Sequence, residues 1–170
     1  MDLVPPAAPL TDGEIVLRLR RAEDIPPISA ASHDPETRRR MDDEPMTPER
    51  ERSSLARTEE QWRSGTAAPF VIADAADDRA LGLVNLQFGE DATLAASVFP
   101  QERSRGIASR AIRLVATWGL RELGLSRVVA ECAPDNVASI RAIEKAGFRR
   151  EGLRGDQLRF VLLPEDLGLQ

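Results

Sequence analysis

The chain has no tyrosine, and it has one cysteine, one histidine and one lysine in 170 residues. A lone Cys132 excludes a disulfide framework within the chain and a cysteine-rich metal site. His33 has no partner histidine or cysteine at a ligand spacing, and it falls in a loop stretch, so it reads as a surface residue. Aromatic residues make up only 4% of the chain. With no long basic stripe beside them, the stacking and phosphate contacts of a nucleic-acid binder are missing. No apolar run approaches the roughly 20 residues of a membrane span. The start, MDLVPPAAPL, lacks the cationic and apolar regions of a signal peptide. These absences point to a cytoplasmic protein with neither a nucleic-acid nor a membrane partner.

What is present is an ordinary globular composition, 42% hydrophobic and 30% charged. It suits one domain long enough to bury a core. Residues 1–13 are Pro-rich and read as a flexible tail, leaving residues 14–170 as the domain. The charge is uneven. Residues 1–100 hold 11 Arg and 19 Asp/Glu, a net −8, whereas residues 101–170 hold 12 Lys/Arg and 9 Asp/Glu, a net +3. Such asymmetry fits two partners of opposite sign, or an arginine-rich composition with no further meaning.

Apolar periodicity divides the domain. Ile15, Leu17 and Leu19 alternate as a strand, and a short helix is expected near Glu23–Ser32. Residues 34–46 show no period and read as a loop. Thr47-Pro48-Glu49 is a helix start, with a capping hydroxyl, a first-turn proline and a carboxylate at the positive end. That helix should run to Ser64 and end at Gly65. FVIADA and ALGLVNLQF read as a hairpin, and TLAASVF as a third strand in that run. Ile107, Ala111, Leu114, Val115 and Trp118 share one face of a following helix. SRVVAEC reads as a strand. Asp135 or Asn136 then caps a helix carrying Val137, Ile140 and Ile143, closed by Gly147. FRREG and LRFVLL are two short strands. Trp62 and Trp118 are expected in the core. The fold class is mixed α/β, with a sheet flanked by helices.

QERSRGIASRAI, residues 101–112, sets arginines around small residues just after a strand. A helix N-terminus offers free N–H groups and partial positive charge to an anion. Gly106 and Ala108 let a phosphate approach the backbone, and Arg103 and Arg105 can add charge-assisted bonds. The alternative is a helix start with exposed arginines. Neither GxxxxGK[ST] nor GxGxxG is present, so a P-loop NTPase and a dinucleotide fingerprint are both unsupported.

R-x-x-G-x-A, Arg103 to Ala108, is similar to the pyrophosphate loop of the GCN5-related N-acetyltransferases. A second stretch, RVVAECAPDNVASIRAIEKAGFRREG, resembles the strand, N-x-x-S-x-R-x-x-E-K-x-G-F and following strand of the same superfamily. Its positions here are Asn136, Ser139, Arg141, Glu144, Lys145, Gly147 and Phe148. Together the two resemble the ribosomal-protein-alanine acetyltransferase, or RimJ/RimL-like, branch over roughly residues 14–167. The resemblance implies a mixed, mostly antiparallel sheet that splays between its fourth and fifth strands and holds acetyl-CoA, the co-substrate, in the gap.

It also implies residue roles. Arg103, Ser104, Arg105, Gly106, Ile107, Ala108 and Ser109 would surround the pyrophosphate, mostly through backbone N–H groups. Val98 and Ala96 would pair with the pantetheine, and the Ala96 N–H would polarise the thioester carbonyl; ordinary strand pairing is the other reading. Asn136 would bond the pantetheine arm, cap its helix, or do both. Ser139 would protonate the leaving thiolate, or is a plain helix-surface residue. Arg141 meets outer phosphates or water, while Glu144 and Lys145 read as surface or structural. Cys132 alternates with Val128 and Ala130 as a buried strand residue and not as a nucleophile.

The chain departs from the superfamily by having no tyrosine for a general acid. Where relatives carry a glutamate it reads Ala92-Thr93-Leu94-Ala95, so Asp91, Glu90 and Glu131 are the nearest candidate bases. The implied reaction is direct N-acetyl transfer to a primary amine in a ternary complex. The acidic first half suits a cationic acceptor: a peptide N-terminus, an aminoglycoside or a polyamine. Asp42, Asp43 and Glu44 lie where the family builds its acceptor site. A homodimer is compatible with the sequence. The rival class is a module that binds acyl-CoA without efficient chemistry.

Overall fold

The structure, a computed structural model, describes residues 3–40 and 44–169. Asp42 and Asp43 lie outside the described residues. Eight strands form one sheet: β1 (Leu10–Thr11), β2 (Ile15–Arg18), β3 (Ala67–Asp74), β4 (Ala80–Phe88), β5 (Ala92–Val98), β6 (Val128–Cys132), β7 (Arg149–Arg154) and β8 (Gln157–Leu162). Among the described residues five α-helices flank it: α1 (Ile25–Ser32), α2 (Pro35–Arg40), α3 (Pro48–Ser64), α4 (Ile107–Arg121) and α5 (Val137–Lys145). The sheet order is β1-β2-β3-β4-β5-β6-β8-β7, and every pairing is antiparallel except β5 with β6. The expected fourth and fifth strands are therefore β5 and β6.

The N-terminal stretch is not the loose tail that its prolines suggest. Leu10–Thr11 pairs with β2, and Leu3 is buried against the main core. A strand pairing and a buried leucine hold a segment whose composition predicts freedom.

Residues 34–46 also hold more than a loop. Pro35–Arg40 is helical, and Asp34 starts it by accepting from the Thr37 N–H at 2.9 Å. This start uses the same chemistry as Thr47-Pro48, whose hydroxyl accepts from the Arg50 N–H at 3.2 Å. Periodicity could not find α2 because it buries no side chain. The strand at Ile15 stops at Arg18, and Leu19 is exposed. Arg18 is buried instead, because Asp24 takes two of its N–H groups, at 2.8 and 3.0 Å.

The helix over Pro48–Ser64 ends as expected at Gly65, which adopts φ 73°. On α4, Ile107, Ala111, Val115 and Trp118 enter the core. Trp118 and the α3 residue Trp62 both lie edge-on to Phe70, at 5.5 and 5.3 Å. Each such pair adds roughly 0.5–1.5 kcal/mol beyond burial. A smaller cluster of Ile28, Ala31 and Phe99 ties α1 to the sheet.

Candidate active site

β5 and β6 part company soon after they meet. Their pairing covers only Thr93 with Val129 and Leu94 with Ala130. Beyond it, Ala95–Val98 keep partners on β4, while Glu131 and Cys132 pair with β8. A gap opens between the two strands. Hydrogen bonds at either end of the β4–β5 hairpin set the phase of β5. The Phe99 N–H donates to Leu81 O at 2.9 Å, and the Gly89 N–H to Asp91 O at 3.2 Å. In an antiparallel pair, hydrogen-bonded and non-bonded positions alternate. The N–H and C=O groups of Ala96 and Val98 therefore turn away from β4 and into the gap. Gly82 faces Val98, where a Cβ would stand 2.5 Å from Ser97 O.

Past β5 the chain makes a short turn at Pro100–Glu102 and enters α4 at Ile107. Ser104 and Gly106 both have positive φ, 65° and 74°. Such left-handed steps gather successive N–H groups into a concave anion site. The first-turn N–H groups of Ile107, Ala108 and Ser109 have no partner within the helix. The Ser109 hydroxyl is turned back, donating to Gly106 O at 3.0 Å.

The side chains of the loop's own arginines are engaged elsewhere. Arg103 donates to Asp34 at 3.1 Å and to the Thr37 hydroxyl at 2.9 Å. Arg105 pairs with Glu102, which also holds Arg79. Lys145 stands nearer the concavity, its Nζ 3.8 Å from where a Cβ on Gly106 would lie. Arg141 is one turn back on the same face of α5. Among the described residues neither cation is ion-paired. The usable signal in the sequence was the i, i+4 spacing of the only lysine with Arg141.

A model of the acetyltransferase (GNAT) domain matches residues 14–149. The chain belongs to the GNAT acetyltransferase family. It is 34% identical over 129 residues to YjcK of Bacillus subtilis, named a probable N-acetyltransferase, covering 73% of this chain and 71% of that one. Among solved structures, a GNAT-family acetyltransferase from Bacillus anthracis superposes with a TM-score of 0.79 at 20% identity, covering 93% of this chain and 99% of that chain. RimJ of Mycobacterium smegmatis, solved with a CoA disulfide, gives 0.77 at 22% identity, covering 94% and 88%.

In the acetyltransferase, Asn136 caps α5: its Oδ1 accepts from the Ser139 N–H at 3.3 Å. Ser139 is half-buried, and its hydroxyl has no hydrogen-bond partner among the described residues. Cys132 is buried, and that burial pushes its thiol pKa up, away from the thiolate a nucleophile needs. His33 is exposed, with Nε2 3.1 Å from Met46 O.

Of the candidate bases, Asp91 is held by Arg127, at 3.0 and 3.1 Å, and by Arg159. Its hydrogen bond to Arg127 leads the causes that hold its carboxyl below the usual range, which makes it a weak base. It also lies before the stretch of β5 that pairs with β6, away from the gap. Glu131 stands 3.6 Å from Arg159, and the exposed Glu90 3.8 Å from Arg154.

The helix α2 touches both lips of the gap. It holds Arg103 after β5, and its Arg40 holds Asp135 after β6 at 3.0 Å. On another side of β5 is a cavity of about 510 Å³, which Ala95, Ala96 and Ser97 help to line. β5 is thus a wall common to the gap and the cavity.

Proposed function

We propose that the protein moves an acetyl group from acetyl-CoA to a primary amine, with the donor in the gap and the acceptor in the cavity. The observation that carries this reading is the outward-turned backbone of Ala96 and Val98. An unpaired strand edge inside a fold needs a partner, and a pantetheine arm supplies amide groups at that edge. The concavity at Ser104–Ser109 fits a pyrophosphate, and Lys145 and Arg141 add charge beside it. Acetyl-CoA supplies an activated thioester, so no further cofactor is required by the chemistry.

The roles of the residues follow from position. The Ala96 N–H donates to the carbonyl oxygen as a neutral amine attacks the carbonyl carbon. The new N–C bond forms and the C–S bond breaks. Ser139 gives a proton to the departing thiolate and regains one from water. The proton lost by the amine passes to solvent, because none of Asp91, Glu90 and Glu131 is a free base at the gap.

Thermal unfolding with added ligand tests the donor assignment. Acetyl-CoA should raise the melting temperature, and NAD and ATP should not. Gly106→Glu should abolish the rise, since it sets bulk and negative charge where a phosphate sits. A variant that responds to acetyl-CoA like the parent would contradict the loop assignment.

A further inference from the structure

The described lining of the cavity beside β5 carries a charge opposite to that of the first hundred residues. Its described lining includes Arg20, Arg38, Arg50 and Arg57 against only Glu44 and Glu60. Glu60 is already paired with Arg63. Among the described residues none of those four arginines is ion-paired, whereas Arg18, Arg103, Arg105, Arg110, Arg127 and Arg159 all are.

Arg20 is the most constrained of the four. It is half-buried, and among the described residues its only polar contact is from Nη1 to the fully buried hydroxyl of Ser54, at 2.8 Å. Its Nε is shielded from solvent and has no partner. Burial pushes its pKa down, the like charge of Arg57 adds to that, and Asp24 opposes it. A guanidinium does not shed its proton in response. The cost of holding it there stands until an anion arrives.

A second polar atom in the lining is also unmatched. Asn85 Oδ1 is buried without a hydrogen-bond partner, on β4 directly opposite Ala95. It is a hydrogen-bond acceptor beside the reacting strand. Arg20 follows β2, so β3 and β4 lie between it and β5. The cavity therefore offers an acceptor atom at its β5 end and the guanidinium of Arg20, without an ion pair among the described residues, two strands further off.

We propose that the acceptor is an amine that also carries a carboxylate. Asn85 takes a hydrogen bond from the amine, and Arg20, with Arg57 beside it, holds the carboxylate. A guanidinium can do so through two parallel hydrogen bonds. This rests on the acetyl-transfer reading above and replaces the cationic acceptor expected from the acidic first half.

The test uses the full chain with acetyl-CoA and a matched acceptor set: free glutamate and phenylalanine, their amides, peptides beginning Gly-Glu or Gly-Lys, and spermidine. The free acids or the Gly-Glu peptide should exceed the matched amide or Gly-Lys peptide by about 10- to 100-fold in kcat/KM, the range of one hydrogen-bonded charge pair. Which of the two leads tells a free amino acid from an acidic N-terminus. Arg20→Gln should bring the acid-to-amide ratio close to one, through KM. Arg57→Gln, at an exposed position, should lower the same ratio without risk to folding. A preference for amides or spermidine, or a ratio unchanged in both variants, overturns the proposal. Acetyl-CoA thermal shifts on the same samples separate the two levels. With the shift present and spermidine acetylated, only the carboxylate assignment fails. With no shift, the transfer reading fails and this inference fails with it.

Discussion

Lys145 and Arg103 are both cations near the same loop, yet their surroundings differ. Arg103 is spent on Asp34 and Thr37, whereas the Lys145 ammonium sits beside Gly106 without a carboxylate among the described residues. The family-like motif drew attention to Arg103, and the geometry favours Lys145, on α5, as the proposed phosphate contact. Lys145→Ala should weaken acetyl-CoA binding about 10-fold, the lower end for a charged hydrogen bond at an exposed site. Arg103→Ala should weaken it less than about 3-fold. Its main effect should be a small loss of stability from a partly exposed ion pair. Calorimetric titration of both variants checks this, and a larger loss of binding in Arg103→Ala would reverse the assignment. A linear motif shows which charges are near a loop and not which are already taken.

At the scale of elements, the strongly periodic segments were legible. The helices at Thr47 and Ile107, the β3–β4 hairpin and the strand at Val128 appear where apolar spacing and capping residues put them. The errors came where burial and period separate. The helix α2 has a start signal but no buried face, and β1 is a strand of two residues held by its partner. The phase of β5, which aims Ala96 and Val98 into the gap, depends on partners across the hairpin that no single segment encodes. Gly82 is a test of that phase. A Cβ there would press on backbone atoms, 2.5 Å from Ser97 O and 2.9 Å from Val98 Cα. Gly82→Ala should cost about 1–3 kcal/mol by overpacking and should also weaken acetyl-CoA binding by moving β5 at Val98. Lost stability with unchanged affinity would remove Val98 from the donor site.

For the whole molecule, the two motif stretches made the family legible from sequence, because both are local and flank the gap. The proposed acceptor side was not, because the cavity assigned to it is assembled from residues between Arg20 and Phe99 on separate elements. The net charge of the first hundred residues pointed to a cationic acceptor. Counting charges does not tell which face they occupy; the described lining is rich in arginine, which is the ground for proposing a carboxylate on the acceptor instead. The central claim is that the gap and the cavity meet across β5 to transfer an acetyl group to an amine. Incubation with acetyl-CoA and a pooled amine set, read by mass spectrometry, tests it most directly. The expected result is an N-acetylated amine that forms with the parent and not with Gly106→Glu. Firm acetyl-CoA binding with no acetylated amine from a pool spanning acidic, neutral and cationic acceptors would contradict it.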